Sequence, residues 1–331
     1  MSTSPRPKSA FFINDPKGFW AVSNCAIEAI YGKGRKEQIA GLTDLYPHLI
    51  CPANFEEHIP NLKSLEVIFS TWSMPRLTAE QLEKMPQLKA VFYAAGGTAY
   101  FRKPFMDKGI ICCSGTEANA VPVAEFCLGQ ILLTAKGFFR NTAACATREG
   151  RINKPFVGLG SYGAKVSLLG NGAISRKLQE LLAPFRLDVQ VVPSRQMSPQ
   201  KLEEVFETSY IVSNHLPDRE DNKGLLNRAH FSRMPHGATF INTGRGGQVN
   251  EADMAAVLSE RKDLTALLDV QDPEPPLEGS PLYTLPNVHM SSHIAGTYND
   301  EYQRLADYMI EEFIRWKNNE PLLYRVTDDM L

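Results

Sequence analysis

The sequence has little that would connect the protein to a metal, a nucleic acid or a membrane. Its six cysteines include no CxxC pair and no Cys/His spacing typical of a metal site. The formal net charge of -2 gives no basic surface for nucleic acid and no attraction to anionic lipid. No uncharged apolar stretch reaches membrane-spanning length. We therefore expect no bound metal, no nucleic-acid partner and no membrane partner.

The chain also lacks the marks of a secreted or repetitive protein. Residues Met1–Pro5 have no basic segment followed by an apolar core, so we expect no signal peptide. The cysteines, among them Cys25 and the adjacent Cys112 and Cys113, favour a reduced, cytoplasmic protein. Hydrophobic residues make up 43% and charged residues 22% of 331 residues, an ordinary soluble composition in a chain long enough for two domains.

Short apolar segments alternate with amphipathic segments along almost the whole chain. That alternation is typical of parallel sheets whose strands are joined by crossover helices, which predicts an α/β fold. The predicted strands are Ala10–Ile13, Leu65–Ser70, Leu88–Tyr93, Gly109–Cys113, Lys165–Leu169, Val189–Val192, Tyr210–Asn214, Thr239–Asn242, Thr265–Val270 and Val288–Ser291.

Two predicted long helices mark the domain boundaries. Apolar residues at helical spacing predict one helix over Val121–Arg140, and Glu149–Tyr162 after it has the composition of a linker. The second helix is predicted over Asn299–Asn318.

These boundaries predict a nucleotide-binding domain over residues 120–301, provided that it opens with the glycine turn described next. Residues 1–119 and 302–331 would then share a substrate domain. The cleft between the two domains would be the expected active site.

A glycine turn follows one of the predicted strands, in the sequence Gly170-Asn171-Gly172-Ala173-Ile174-Ser175. In dinucleotide-binding sites the first glycine of GxGxxG permits a tight turn, and the second lets a pyrophosphate approach the backbone. Serine takes the third small position here. The N–H groups at the start of the next helix would face the phosphates. Taken alone, the pattern fits a plain βα turn equally well.

The residues after the following strand favour NADP(H) over NAD(H). An acidic residue at this point normally binds the ribose 2′-hydroxyl of NAD. Here the strand is followed by Pro193, Ser194 and Arg195. The missing carboxylate removes repulsion against a 2′-phosphate, and the guanidinium of Arg195 is suited to binding one. A surface arginine in a polar loop is the alternative interpretation.

Arg245, Glu274 and His293 each follow a predicted strand, so all three should lie at the sheet edge that carries Gly170. An arginine binds a carboxylate, and a histidine moves a proton near neutral pH. A carboxylate beside that histidine can hold its second ring proton. Each residue alone has an ordinary structural explanation, whereas together, beside a nicotinamide, they predict interconversion of 2-keto and 2-hydroxy acids.

The chain resembles the D-isomer-specific 2-hydroxyacid dehydrogenase family, with its glyoxylate and hydroxypyruvate reductases, over roughly residues 60–305. The motifs that carry the resemblance are the glycine turn, Val123-Ala124-Glu125, Asn242-Thr243-Gly244-Arg245-Gly246-Gly247, Leu268-Asp269-Val270 with Pro273-Glu274-Pro275, and Ser292-His293-Ile294-Ala295-Gly296. The resemblance implies two Rossmann-like or flavodoxin-like doubly wound parallel-sheet domains.

The resemblance also implies a role for each residue of the trio. Arg245 would bind the carboxylate and carbonyl oxygens of the substrate, and His293 would be the general acid in reduction and the base in oxidation. Glu274 would hydrogen-bond the other ring nitrogen of His293. The backbone N–H groups of Gly96 and Gly97 would hold the substrate carboxylate.

The cofactor-binding set implied by the resemblance is Gly170, Gly172, Ala173, Ile174, Ser194, Arg195, His215, Pro217, Thr243, Asp269 and Gly296. Asp269 would contact the nicotinamide end of the cofactor. The family usually forms homodimers through the nucleotide-binding domain. The predicted helix Val121–Arg140 could supply much of that surface, or its apolar residues could face their own core.

The expected substrate is a small 2-keto or 2-hydroxy acid, and its side chain is left open. Ala99 stands where the family's substrate loop usually has aspartate, and the next residues, 100–103, are bulkier and more basic than usual. Trp72 is a candidate wall of the substrate pocket, with ordinary packing as the alternative.

The same residues distinguish between the activities known among related proteins. Formate dehydrogenases have glutamine in place of Glu274, so the carboxylate argues against that chemistry. Phosphite oxidation uses a similar trio and stays open. A corepressor-like NAD(H)-sensing binding protein is the alternative that is not an enzyme, because such proteins keep the fold and the trio.

Overall fold

The computed structural model describes residues 5–17, 26–153 and 156–327, so Cys25 lies outside the described part. The chain divides into two compact units, one of Met1–Asn119 with Tyr298–Leu331 and one of Ala120–Thr297. Each unit contains one sheet in which every strand pair is parallel. The predicted α/β class with two doubly wound parallel sheets is confirmed.

The first unit has a five-stranded sheet in the order β2-β1-β3-β4-β5. Its strands are β1 Lys8–Phe12, β2 Asp44–Leu45, β3 Val67–Ser70, β4 Ala90–Tyr93 and β5 Ile111–Ser114. Strands β3 and β4 are buried at every position, because helices cover both faces of the sheet. The two-residue strand β2 is too short to give a periodic signal and was absent from the sequence prediction.

Helices on both faces complete the first unit. They are Ala26–Tyr31, Arg35–Leu42, Phe55–Leu62, Ala79–Glu83, Lys103–Asp107 and Tyr302–Lys317, and the long helix Thr116–Ala135 begins here. The C-terminal helix belongs to this unit because Phe313 packs edge-on against Phe69 and Phe92, with ring centroids 5.4 and 5.6 Å away. A short 3-10 turn, Asn299–Glu301, precedes that helix where the sequence predicted α-helix.

The second unit has a six-stranded sheet in the order β11-β10-β9-β8-β6-β7. Its strands are β6 Lys165–Leu169, β7 Asp188–Val192, β8 Ile211–Asn214, β9 Thr239–Asn242, β10 Thr265–Leu268 and β11 Val288–Met290. The strand order reverses between β6 and β8. In open parallel sheets a ligand binds beyond the carboxyl ends of the strands at such a reversal.

The helices of the second unit lie before and between these strands. They are most of Thr116–Ala135, then Phe138–Ala144, Arg148–Asn153, Ala173–Leu182, Pro199–Thr208, Arg228–Phe231 and Glu251–Glu260, with 3-10 turns at Ser194–Gln196, Glu220–Asn222, Gly246–Gln248 and Pro281–Tyr283. Buried side chains from both layers, such as Leu168, Leu178 and Phe240, form one hydrophobic core.

The long helix differs from its prediction at both ends. The sequence predicts Val121–Arg140, whereas the helix runs over Thr116–Ala135 and a second helix starts at Phe138. Gly137 between them has φ of 73°, a left-handed conformation that ends a helix and suits glycine. The predicted linker Glu149–Tyr162 was also partly wrong, because the helix Arg148–Asn153 occupies its first residues.

By length and composition alone, the helix Thr116–Ala135 is apolar enough to cross a membrane. It carries Glu117 and Glu125, so it is not an uncharged stretch. Half of its most apolar window is buried inside the protein, and Cys127 and Ile131 belong to the core of the second unit. A core helix of a water-soluble protein has the same properties, so this observation gives weak support for a membrane span.

Candidate active site

His293 and Glu274 are in contact at the carboxyl edge of the second unit's sheet. The Nδ1 atom of His293 lies 2.7 Å from Oε1 of Glu274. The two side chains are about half exposed, so this pair meets solvent rather than the core. A carboxylate that accepts the Nδ1 proton leaves Nε2 as the ring atom directed away from the pair. That atom is therefore the one available to exchange a proton with a ligand.

Asp269 fixes the loop that carries His293. Its Oδ1 accepts hydrogen bonds from the Ser291 hydroxyl at 2.7 Å and the Ile294 N–H at 2.9 Å. Its Oδ2 accepts from the Ala295 N–H at 2.9 Å, and the carboxylate is buried. His293 between these donors has φ of 57°, a conformation that residues other than glycine seldom adopt. Both oxygens of Asp269 are thus engaged in holding a strained loop.

Arg245 lies on the neighbouring strand-end loop, after β9. Its Nη1 donates to the Gly244 carbonyl at 2.8 Å, and its Nε is 3.6 Å from the exposed carboxylate of Asp218. The side chain is 55% exposed, so this ion pair is weak and leaves the guanidinium accessible to a ligand anion. Arg245 and Glu274 line the same pocket of about 230 Å³, together with Lys223. His293 does not line that pocket directly but is bonded to Glu274.

The glycine turn lies against the loop after β8, at the place where a dinucleotide crevice is expected. Gly170 has φ of 95°, and a Cβ atom there would lie 2.5 Å from the carbonyl oxygen of His215. The turn after β6 therefore touches the loop after β8, at the reversal of strand order. A Cβ atom added at Gly172 would meet no other described residue within 4 Å, and the helix beginning at Ala173 has no acidic residue in its first turn. Open space beside free N–H groups fits a pyrophosphate.

Ile174 and Ser175 anchor that helix to the sheet. Ile174 is half-buried and packs against the core of the unit. Ser175, at the third small position of the pattern, is fully buried, and its hydroxyl has no hydrogen-bond partner in the described residues. The serine thus serves as a small packing residue, as the pattern requires.

The residues after β7 form an exposed turn beside the glycine turn. Gly170 N–H donates to the Val192 carbonyl at 2.8 Å, so the ends of β6 and β7 are adjacent. Ser194–Gln196 is a 3-10 turn in which Ser194 is half-buried and Arg195 exposed. No carboxylate belongs to this turn.

His215, Thr243 and Cys127 form a buried polar cluster beneath the same edge. His215 Nε2 is 2.9 Å from the Ser213 hydroxyl, and its Nδ1 is 3.4 Å from the Thr243 hydroxyl, which also lies 3.3 Å from the Cys127 thiol. Burial lowers the pKa of His215 to about 4 and raises the pKa of Cys127 to about 12. Both groups are therefore uncharged at neutral pH, so His215 would meet a cofactor only as a neutral imidazole.

Two further predicted cofactor residues lie in the same unit. The Pro217 carbonyl accepts hydrogen bonds from the side-chain amides of Gln248 and Asn222, each at 2.9 Å. Gly296 follows Ala295 and is half-buried. In the described residues no group of three or more histidine, cysteine, aspartate or glutamate side chains is arranged to hold a metal ion.

The predicted substrate residues Gly96, Gly97 and Trp72 lie in the first unit. The Gly96 carbonyl accepts from the hydroxyls of Ser114 at 2.7 Å and Thr116 at 3.1 Å. The N–H groups of both glycines donate to no other group in the part of the chain that the structure describes. Trp72 is half-buried, and its ring packs edge-on against Tyr302 at 5.8 Å.

Three buried amide side chains near Arg245 escaped the sequence interpretation. They are Asn214, Asn242 and Gln248, each at most 2% exposed, and they bond to one another and to both strand-end loops. The available signal was an asparagine as the last residue of both β8 and β9, where the other strand residues are mostly apolar.

Comparison with known proteins places these features in one family. The model of the NAD binding domain of D-isomer specific 2-hydroxyacid dehydrogenases matches residues 128–295, just over half of the chain. A D-3-phosphoglycerate dehydrogenase of Methanocaldococcus jannaschii is 26% identical over 301 residues, which are 88% of this chain and 55% of the relative. A hydroxypyruvate reductase of Thermotoga maritima is 26% identical over 253 residues, 73% of this chain and 82% of the relative.

A solved structure supports the fold at lower identity. A phosphoglycerate oxidoreductase from Rhizobium etli has a TM-score of 0.77 at 20% identity, with 98% of this chain and 99% of that chain covered. The chain spans about half to two thirds of the first curated relatives that it matches. The matched residues include the glycine turn, Arg245, Glu274 and His293, and the chain belongs to the D-isomer specific 2-hydroxyacid dehydrogenase family.

Proposed function

We propose that the protein is an oxidoreductase that interconverts a 2-keto acid and a D-2-hydroxy acid with a nicotinamide cofactor. The observation that carries this proposal is the 2.7 Å contact between His293 and Glu274 at the sheet edge that also carries Arg245 and the glycine turn. An acid/base group, an anion-binding group and a dinucleotide crevice at one edge are what the reaction requires.

Each protein group has a defined task in reduction. Arg245 binds the substrate carboxylate through its fork of N–H donors and polarises the keto oxygen. His293, protonated, gives the Nε2 proton to that oxygen, while Glu274 holds the Nδ1 proton and stabilises the positive ring. A reduced nicotinamide held at the glycine turn would supply the hydride for the carbonyl carbon. In oxidation His293 takes the proton back as a base.

The test of this proposal is turnover by the purified chain. NADPH and NADH would be offered with glyoxylate, hydroxypyruvate and phenylpyruvate, and loss of the reduced nicotinamide would be followed by absorbance. We expect oxidation of the cofactor that depends on the keto acid. A protein that binds the cofactor with no turnover of any acid would instead support the corepressor-like binding function, and turnover of phosphite alone would support a phosphite-type dehydrogenase.

The two units contain different sets of predicted site residues. We propose that Ala120–Thr297 is the NAD(P)-binding domain, because the glycine turn and every predicted cofactor residue lie in it. For the unit of Met1–Asn119 and Tyr298–Leu331, the role of substrate domain stays a prediction that rests on Gly96, Gly97 and Trp72. The cytoplasmic location likewise stays a prediction from the sequence.

For the cofactor we propose a preference for NADP(H), supported by the exposed Arg195 in a turn without a carboxylate. Arg195→Ala should raise the KM for NADPH by about 10- to 100-fold, since a hydrogen bond to a charged group contributes about 1.5–3 kcal/mol. The KM for NADH should change little. Arg233→Ala, which removes an exposed arginine paired with Glu203, is the control. A wild-type preference for NADH would contradict the proposal.

We also propose that the chain forms a homodimer through the second unit. The long helix turns Cys127 and Ile131 into its own core and leaves Leu133 40% exposed. The segment after it exposes further large apolar side chains: Phe138 45%, Ile152 60%, Val157 67%, Leu159 68% and Tyr162 78%. Large apolar side chains left exposed in this number are typical of a surface that a partner covers, and we propose a second copy of the chain as that partner.

Light scattering after size-exclusion chromatography tests the dimer. We expect about twice the chain mass of 36.9 kDa for the wild type. The double variant V157D/L159D should elute as a monomer, because two charges would be buried without partners. Leu277→Asp, at a side chain 70% exposed outside that segment, should remain dimeric. A wild type that is monomeric at micromolar concentration would refute this interface.

A further inference from the structure

We infer that Gln248, together with Asn214, is a positioning residue that couples the loop after β8 to the loop that carries Arg245. The inference rests on the proposed function, in which the first loop contacts the cofactor through His215 and Pro217 and the second binds the substrate. Gln248 borders the pocket of Arg245 and Glu274, but its side chain is buried and both of its polar atoms are bonded within the protein. The contribution of the two amides is to hold two binding loops in one arrangement.

The side-chain amide of Gln248 spans both loops. Its Nε2 donates to the carbonyls of Leu216 at 3.0 Å and Pro217 at 2.9 Å, after β8. Its Oε1 accepts from the Arg245 N–H at 3.4 Å, after β9. A single planar group thus ties the backbone of one loop to the backbone of the other.

Asn214 and Asn242 complete a closed network with Gln248. Asn214 Nδ2 donates to Gln248 Oε1 at 2.7 Å and to Asn242 Oδ1 at 3.0 Å, and its Oδ1 accepts from Leu216 N–H at 3.2 Å. Asn242 accepts from Gly244 N–H at 3.1 Å and donates to the Arg245 carbonyl at 3.3 Å. Every side-chain N and O atom of the three amides has a partner.

Burial makes this network stiff. Asn214 is 0%, Asn242 1% and Gln248 2% exposed, so water cannot replace a lost hydrogen bond. The network also packs closely against Gly244, because a Cβ atom there would lie 3.0 Å from both Asn214 Nδ2 and Gln248 Oε1. A shift of one loop must therefore move the amides and, through them, the other loop.

Such a connection has a thermodynamic consequence. If cofactor binding selects one arrangement of the Leu216–Pro217 backbone, the network passes that preference to Arg245. The cofactor should then tighten the binding of a carboxylate at Arg245, and the carboxylate should tighten the binding of the cofactor by the same factor. A residue that only stabilises the fold would not couple the binding of the cofactor to the binding of the carboxylate.

The first test variant is Gln248→Met, which keeps the length of the side chain and removes all of its hydrogen bonds. We expect the KM for glyoxylate and the Kd for NADPH each to rise about tenfold or more, with kcat changed less, because both loops lose their orientation. In the wild type, oxalate, an unreactive dicarboxylate, should lower the NADPH Kd measured by protein fluorescence. In Gln248→Met that effect of oxalate should disappear.

A second variant separates the two sides of the amide. Gln248→Glu keeps the oxygen that accepts from Asn214 and Arg245 but loses the N–H donors to the Leu216 and Pro217 carbonyls. It should therefore weaken NADPH binding more than glyoxylate binding. Asn250→Ala is the matched control, since it removes the side-chain cap of the helix Glu251–Glu260 two residues away. It should lower Tm without changing either constant.

The inference is overturned if folded Gln248→Met keeps the wild-type KM, NADPH Kd and oxalate effect. It is also overturned if Gln248→Glu and Asn250→Ala change these constants equally at equal loss of Tm. Failure of the proposed function is a separate outcome, seen as absence of turnover in the wild type. The effect of oxalate on the NADPH Kd can be measured without turnover, so it tests the coupling whether or not the wild type reduces a keto acid.

Discussion

Replacing His293 with alanine should lower kcat for keto-acid reduction by about two to four orders of magnitude, the usual contribution of a positioned general acid. The imidazole is the group at this sheet edge that is bonded to a carboxylate and still directs one ring nitrogen outwards. Without it, the proton for the alcohol oxygen must come from water. The KM for NADPH should stay within a few-fold of wild type, since the glycine turn and the β7 turn are untouched.

His236→Ala is the control for this prediction. His236 also faces a carboxylate, with Nδ1 3.2 Å from Oδ2 of Asp263, but it precedes β9 and so lies at the amino edge of the sheet. It should keep wild-type turnover. Equal losses in the two variants would indicate a general effect on the protein and remove the assignment of His293 as the acid.

The partner carboxylate gives a second variant for the same prediction. Glu274→Gln keeps an oxygen within reach of Nδ1 of His293 but removes the negative charge that stabilises the protonated ring. The value of kcat for keto-acid reduction should therefore fall, by less than in His293→Ala, because the imidazole itself is kept. Wild-type kcat in Glu274→Gln would separate Glu274 from the proton transfer.

Replacing Arg245 with alanine should lower kcat/KM for glyoxylate by about 10³-fold, with a large part of the loss in KM. The guanidinium is more than half exposed, and within the described residues its partners are the Gly244 carbonyl and the more distant Asp218. Its donors are thus available for a carboxylate and a keto oxygen. Arg245→Lys should recover only part of the loss, because an ammonium group lacks the planar fork.

Arg228→Ala is the matched control for Arg245→Ala. Arg228 is similarly exposed, at 50%, and pairs with Glu260 on the surface of the same unit. Surface ion pairs contribute about 0–1 kcal/mol, so its loss should leave kcat/KM unchanged. Wild-type kcat/KM in Arg245→Ala would exclude this arginine from substrate binding.

Much of the fold could be predicted because strand signals here are strong. Strands β6 and β9 have the predicted bounds Lys165–Leu169 and Thr239–Asn242, since an apolar run in each ends at a turn or loop residue. The helix Thr116–Ala135 was misplaced because Gly137 can continue or end a helix, and only its left-handed φ shows which. The sequence signal cannot distinguish these two states.

The candidate site was predictable to the level of residues that share a sheet edge. The contact between Glu274 and His293 follows from strand ends that meet, and it is present at 2.7 Å. Of the Asn214–Asn242–Gln248 network, the two strand-end asparagines gave a sequence signal, but their hydrogen bonds to one another and to Gln248 could not be foreseen, because an amide side chain carries no charge that would pair it with a partner. Likewise, the engagement of both Asp269 oxygens with the His293 loop depends on a backbone conformation that no pattern encodes.

The most direct test of the central claim is a reaction of the purified protein with NADPH and glyoxylate, hydroxypyruvate or phenylpyruvate, followed by chiral analysis of the products from the last two. We predict that one cofactor is oxidised per keto acid reduced and that the product is the D-2-hydroxy acid. His293→Ala and Arg245→Ala should form it only slowly. Absence of cofactor oxidation with all three acids, or formation of the L-isomer, would contradict the account.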